Sequence, residues 1–181
     1  MAQIWTIGHS TRSIDDFIAA LTAHGIQLVA DVRLLPGSKR YPHFNSDALE
    51  QSLGGHGIRY AHFRELGGRR KPRPDSRNTA WRNDAFRGYA DYMETPEFEA
   101  GIARLLELAH NQRVAIMCAE AVWWRCHRGL VSDYLKARGA EVLHILDAKK
   151  ADAHPWTSAA RIVDGELCYG AQKAEPTLPG L

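Results

Sequence analysis

Apolar and polar residues alternate along this chain in blocks that switch between strand and helix periods. Ile4 to Ile7 is short, apolar and β-rich, and Gly8 follows it, which predicts a buried first strand. Ser13 precedes Ile14-Asp15-Asp16 as a cap with acids in the first turn. Ile14, Phe17, Ile18 and Leu21 then recur at helical spacing until Gly25. Leu28 to Val32 predicts a second strand, and a loop of Pro, Gly and basic residues runs from Pro36 to Pro42. Ser46-Asp47 opens a second helix that ends near Gly54-Gly55, and Ile58 to Phe63 predicts a third strand. The polar stretch Glu65 to Asn78 is a long loop, a length that in compact domains accompanies function or disorder. Trp81, Ala85, Tyr89 and Tyr92 share one face of a helix over roughly 80 to 94. Thr95-Pro96-Glu97 restarts a helix with a cap, a first-position proline and an acid. Val114 to Met117 predicts a strand ending at Cys118. Leu130, Val131, Tyr134 and Leu135 mark a helix closed by Gly139, and Glu141 to Ile145 predicts the last sheet strand. A hairpin over Arg161 to Tyr169 turns at Asp164-Gly165.

Strands alternating with helices predict a three-layer α/β domain, a mostly parallel sheet flanked by helices on both faces. Its strand order is not readable from the pattern. The 181 residues suit one domain, 1–181, with 151–181 as a C-terminal extension. With 45% apolar and 24% charged residues, the composition is that of a globular protein able to bury its own core. A net charge of +2 supplies no global field for nucleic acid or a membrane. Charge is nevertheless uneven. Arg59, Arg64, Arg69, Arg70, Lys71, Arg73, Arg77, Arg82 and Arg87 stand against only Glu65, Asp75 and Asp84. The three cysteines, Cys118, Cys126 and Cys168, do not read as a disulfide framework. The N-terminus lacks a signal-peptide pattern, and no apolar run approaches the roughly 20 residues of a membrane span. The expectation is a cytoplasmic protein with no membrane partner.

Ligands of open α/β sheets bind outside the carboxyl ends of the strands. The unusual polar residues cluster at such ends: Gly8-His9-Ser10 after the first strand, Asp31 and Arg33 at the second, His62 and Arg64 at the third, Cys118 and Glu120 at the fourth. Beyond Glu120 come Trp123, Trp124, Arg125, Cys126, His127 and Arg128, with a helix expected to begin near Cys126. A helix N-terminus attracts anions and lowers the pKa of a nearby thiol. Arg125 and Arg128 carry guanidinium groups suited to phosphate or carboxylate. The candidate catalytic residues are therefore Cys118, Glu120 and His127. The candidate substrate-binding residues are Gly8, His9, Ser10, Asp31, Arg33, Trp124, Arg125, Cys126 and Arg128.

Familiar thiol chemistries fit this spacing poorly. Cys118 to Arg125 is C-x6-R, one residue longer than the phosphatase C-x5-R, with tryptophans in place of loop glycines. Cys118, Cys126 and His127 lack the short paired spacing of zinc ligands, so no metal is assigned and the cofactor is left open. The two cysteines also miss the redox spacing C-x-x-C. The combination Thr6-Ile7-Gly8-His9-Ser10, Asp31-Val32-Arg33, Phe44-Asn45, Leu66-Gly67-Gly68, Phe86 to Met93, and Cys118-Ala119-Glu120 through Cys126-His127-Arg128 resembles the domain-of-unknown-function family 488 over roughly residues 3 to 150. The resemblance implies a compact α/β domain and the location of the site, and no assigned activity. One departure is the Trp123-Trp124 pair, where the family pattern implies a proline before the tryptophan.

Each signal also has a plainer reading: Cys118 as a small buried strand end, Glu120 in a salt bridge to Arg33 or Arg128, Asp31 and Arg33 paired with each other, and Trp81, Tyr89 and Tyr92 as core. Two functions follow from the chemical reading. One is an enzyme, a hydrolase or group transferase, acting on a phosphate-bearing or nucleotide-like small molecule. The other is a non-catalytic module that binds nucleotide or single-stranded nucleic acid through the same cleft and the basic loop. A protein-interaction surface at Trp123 and Trp124 is a third. The oligomeric state is left open.

Overall fold

Six strands form one sheet: β1 (Gln3–Gly8), β2 (Leu28–Asp31), β3 (Arg59–His62), β4 (Val114–Cys118), β5 (Glu141–Ile145) and β6 (Ala151–Ala153). The structure is a computed structural model and describes residues 1–170. The strand order is β3-β2-β4-β1-β5-β6. The first five are parallel, and β6 runs antiparallel to β5. β6 has no counterpart in the sequence reading, because Ala151-Asp152-Ala153 carries no apolar alternation.

Five α-helices cover the two faces, as the alternation of elements predicts. α1 (Ile14–Ala23) and α2 (Ser46–Gly54) lie on one face. Phe17 and Leu21 of α1 and Leu49 and Leu53 of α2 pack there with Trp5, Ile7, Ala115 and Met117. α3 (Asp84–Tyr92), α4 (Pro96–Ala109) and α5 (Arg128–Ala137) cover the other face. Tyr89, Phe98, Ile102, Leu105, Leu130 and Leu135 pack there with Ile4, Ile116 and Cys118. Neighbouring residues of β1 and β4 thus feed opposite cores, as the two-residue period of a strand requires.

The local signals at helix starts hold where a side chain can reach the first-turn amides. Ser13 accepts from Asp16 N, and Thr95 accepts from Phe98 N. α3 starts later than expected because Asn83 accepts from both Ala85 N and Phe86 N. Trp81 stays outside the helix and packs on Phe86 and Tyr169. α5 also begins later, at Arg128, behind a 3-10 turn at Trp123–Arg125. The expected hairpin is present as β7 (Arg161–Val163) and β8 (Glu166–Cys168), a sheet of its own. Its turn residues Asp164 and Gly165 have φ of 52° and 81°, the left-handed pair that a two-residue hairpin turn demands. Of the C-terminal extension expected over 151–181, the part from 171 lies outside the described residues. No helix among the described residues is long and apolar enough to cross a membrane.

A buried polar network ties this extension to the sheet. Asp133 on α5 accepts from His154 Nε2 (2.9 Å), Thr157 N (3.0 Å), Thr157 Oγ1 (2.5 Å) and Tyr169 OH (2.7 Å). His154 Nδ1 lies 2.8 Å from His144 Nε2, and His144 Nδ1 lies 2.6 Å from Thr6 Oγ1. Every ring nitrogen of the two imidazoles thus has a hydrogen-bond partner. Trp123 stacks on His144 at 4.9 Å and 6°. Burial, then the neighbouring His154, pushes His144 down to about 2.

This network makes the fold acid-sensitive. An unfolded histidine takes a proton near 6.5, whereas folded His144 refuses it down to about 2. The unfolded state therefore binds more protons throughout that window. Stability is complete above about 6.5 and falls as pH falls, by about 1.4 kcal/mol per pH unit for this group. Burial also lowers His9 and His127, which steepens the loss. Urea denaturation between pH 7 and 4 should show this slope, and His144→Asn should flatten it by about one proton. An unchanged slope in the variant would assign the acid sensitivity elsewhere.

Candidate functional site

The strand order creates a crevice at the ends of β1 and β4. These neighbours are paired through Gly8 and Cys118, yet β1 leads to α1 on one face and β4 leads to α5 on the other. Divergent connections open a cleft at such a switch point. A cavity of about 460 Å³ lies there, within the range of small-ligand sites. It is lined from β1 by His9, Ser10 and Thr11, and from the loop after β2 by Arg33 to Leu35, Gly37, Ser38 and Tyr41. β4 contributes Cys118, Ala119 and Glu120, and the turn before α5 contributes Cys126 and His127. Gly68 and Arg69 close the rim.

The loop after β4 crosses directly over the end of β1. His9 N donates to Cys118 O and Ser10 N to Ala119 O. A Cβ added at Gly8 would fall 1.8 Å from Glu120 O, so only glycine admits this crossing. Ser10 (φ 47°) and Arg69 (φ 61°) both hold left-handed backbone while lining the cavity. Strain of this kind in non-glycine residues tends to gather at functional sites.

Asp31 and Arg33 do pair with each other, and the pairing aims the arginine. Arg33 Nε and Nη2 donate to the two Asp31 carboxylate oxygens at 2.9 and 2.7 Å. Nη2 also donates to Phe44 O, and Tyr60 OH donates to Asp31 at 2.6 Å. Burial, together with that bond to Asp31, raises the Tyr60 phenol pKa. Nη1 is left beside His9 Nε2 at 3.4 Å. His9 Nδ1 meets Ser10 O at 2.9 Å and the ring stacks on Phe44 at 4.3 Å. Burial lowers the His9 pKa. A neutral ring that donates from Nδ1 can accept at Nε2 from the guanidinium.

The two site cysteines differ sharply in environment. Their sulfurs lie 2.9 Å apart, both buried. Burial raises the Cys118 thiol pKa, and its hydrogen-bond contact with Cys126 raises it further. That same bond lowers Cys126, with help from the nearby Arg128 guanidinium and from Arg128 N, which donates to Cys126 Sγ at 3.4 Å. Of the two thiols, Cys126 is therefore the more readily ionised. His127 Nε2 donates to Val32 O at 3.0 Å, which leaves Nδ1 as the acceptor, 3.5 Å from Cys126 Sγ. Burial keeps His127 neutral by lowering its pKa.

Arg128 is 2% exposed. Its Nη2 donates to the carbonyls of Glu120 and Ala121 at 3.1 and 3.3 Å, and its Nε has no hydrogen-bond partner among the described residues. A buried guanidinium braced only by neutral carbonyls favours an anion nearby, and its charge helps to lower the Cys126 thiol pKa.

Of the residues proposed from sequence, His9, Ser10, Arg33, Cys118, Glu120, Cys126 and His127 meet around the cavity. Gly8, Asp31 and Arg128 stand behind the lining and hold it in shape. Trp124 is 56% exposed and Arg125 is exposed, and neither lines the cavity. The C-x6-R pair thus does not close around an anion. At β3, the edge strand, His62 meets Arg33 O at 2.7 Å and stays outside the lining. Sequence reading missed Tyr60, whose signal was only strand alternation, and the part of the Pro36–Pro42 loop that walls the cavity.

The basic loop is largely consumed by the fold. Asp91 accepts from Arg73 N, Ser76 Oγ and Asn78 Nδ2. Glu94 pairs with Arg73 and Arg77. Tyr89 OH and Tyr92 OH donate to Leu66 O and Glu65 O, so the aromatic face serves packing. Among the described residues, no group of three or more His, Cys, Asp or Glu is arranged to hold a metal ion.

The fold and cleft define an α/β protein with a cysteine pair at the switch point of a mostly parallel sheet. A family model described as Domain of unknown function DUF488 matches residues 13–135, and the chain belongs to that family. No curated protein and no solved structure matches the chain.

The Gly8 crossing offers a direct check of the site's architecture. Gly8→Ala should cost about 1–3 kcal/mol in denaturant unfolding through overpacking against Glu120 O, and should expose Cys126 to alkylation as the loop is displaced. Unchanged stability would mean that the crossing is not tightly packed.

Proposed function

We propose that this chain is a thiol-dependent enzyme, a hydrolase or group transferase, acting on a small phosphate-bearing, nucleotide-like substrate. The observation that carries the reading is the Cys126 sulfur, which lines the cavity while sharing a proton with Cys118 and facing the Arg128 charge. A thiolate is the reactive form of cysteine, and burying one without use is costly. Arg33 Nη1 supplies a fixed cation for the substrate anion, since Asp31 already holds the rest of the fork.

In this reading Cys126 Sγ attacks the electrophilic centre and forms a bond to it. The leaving group departs with its electron pair and takes a proton from solvent at the open mouth. In hydrolysis, water then attacks the same centre while Glu120 accepts its proton, and the bond to Sγ breaks to regenerate the thiolate. In transfer, an acceptor hydroxyl or amine replaces water. Cys118 lies against Cys126 in the resting site, and neutral His127 offers Nδ1 to the proton that leaves the Cys126 thiol.

The thiol itself is tested by iodoacetamide labelling against pH. Cys126 should react with an apparent pKa below the ~8.5 of an ordinary thiol, and Cys118 should not. Equal, ordinary reactivity of both would remove the nucleophile.

Turnover is tested with p-nitrophenyl phosphate and p-nitrophenyl acetate. Nitrophenolate release should be inhibited by inorganic phosphate, fall at least about 100-fold in Cys126→Ser, and persist in Cys168→Ser. Nucleotide binding that survives Cys126→Ser, without turnover of either ester by the native chain, would replace the enzyme with a non-catalytic binding module.

A further inference from the structure

Two thiols on one wall of a cavity are more than a single nucleophile needs. Cys118 ends β4, Cys126 follows the 3-10 turn, and the intervening loop folds back so that the sulfurs lie 2.9 Å apart. A disulfide at about 2.05 Å is then reached by less than about 1 Å of travel. Both cysteines line the same cavity, so a small oxidant that enters meets both. The spacing C-x7-C hides this pairing, because only the crossing of the loop over Gly8 brings the ends together. Cys118 has one other polar neighbour, Glu120 O at 3.7 Å, so its thiol has no competing strong bond. Cys168 lies in β8 beside Gly170 N, outside the lining.

We propose that Cys118 and Cys126 form a peroxide-responsive dithiol, with Cys126 as the oxidised residue and Cys118 as the resolving one. The Cys126 sulfur attacks one oxygen of hydrogen peroxide, the O–O bond breaks, and hydroxide leaves. Cys126 is then a sulfenic acid. The Cys118 sulfur attacks it, the S–S bond forms, the S–O bond breaks, and the departing hydroxide takes the Cys118 proton as water. Overall, two thiols are oxidised to one disulfide while one peroxide is reduced to two waters. Low thiolate pKa, access from a cavity and an adjacent resolving thiol are the features that mark redox-responsive cysteines. The proposal shares Cys126 with the reaction proposed above, and rests on that reading only for the consequence that the disulfide stops turnover.

Peptide mapping by mass spectrometry after stoichiometric hydrogen peroxide, without substrate, tests the pair directly. The native chain should lose two hydrogens in a Cys118–Cys126 peptide and recover them with dithiothreitol. Cys118→Ser should instead accumulate a dimedone-reactive sulfenic acid at Cys126 and pass on to sulfinic acid, and Cys168→Ser should behave as the native chain. Direct over-oxidation of Cys126 in the native chain, a disulfide to Cys168, or two untouched thiols would each overturn the proposal. Ester turnover measured alongside separates the two readings. A reversible disulfide that leaves turnover intact sinks the thiol-dependent enzyme and keeps the redox pair. Turnover that needs Cys126, with no disulfide formed, sinks the redox pair alone.

Discussion

The buried charge of Arg128 is the constraint around which the site is arranged. A guanidinium out of water costs several kcal/mol unless its donors and its charge are answered. Nη2 is met by the carbonyls of Glu120 and Ala121, which pins the loop after β4 across the end of β1, while Nε has no partner among the described residues. The charge also helps to lower the Cys126 thiol pKa, whereas burial raises that of Cys118. Loop path and cavity wall therefore share one anchor.

A second rigid unit faces it. Asp31 gathers Arg33, Tyr60 and the Arg33 amide into one buried cluster, so the guanidinium presents a single nitrogen to the cleft. His9 is locked between Ser10 O, Arg33 and the Phe44 ring. The guanidinium and the imidazole on this wall of the cleft are thus each held by several partners.

Behind both, the chain from Asp133 through His154 and His144 to Thr6 joins α5, β5 and β1 in buried hydrogen bonds. Trp123 lies flat on His144, so the tryptophan pair divides: one ring fastens the loop to this network and the other is exposed. The basic stretch before α3 has a similar economy. Asp91 and Glu94 absorb its amides and guanidiniums and make an ordered strut of it.

Most of the fold was legible in the sequence. Strand and helix periods, the Ser13 and Thr95 caps and the Asp164-Gly165 turn are local facts, decided by side chains within a few residues of one another. So was the convergence of polar groups on the strand ends, because a parallel α/β pattern fixes which ends share a rim. The sequence also marked Cys118, Cys126, His127 and Arg128 as a chemical cluster. Tertiary structure decided the roles within it. That the Cys126 thiol pKa is lowered while that of Cys118 is raised, that Arg128 braces a loop, and that Trp124 and Arg125 face away depend on the loop path over Gly8 and on where burial removes water. The His144–His154–Asp133 network and the β6 strand were likewise invisible. The partners in the network are 10 to 138 residues apart and carry no periodic signal, and β6 shows itself only by pairing with β5, so only the packed chain brings them together.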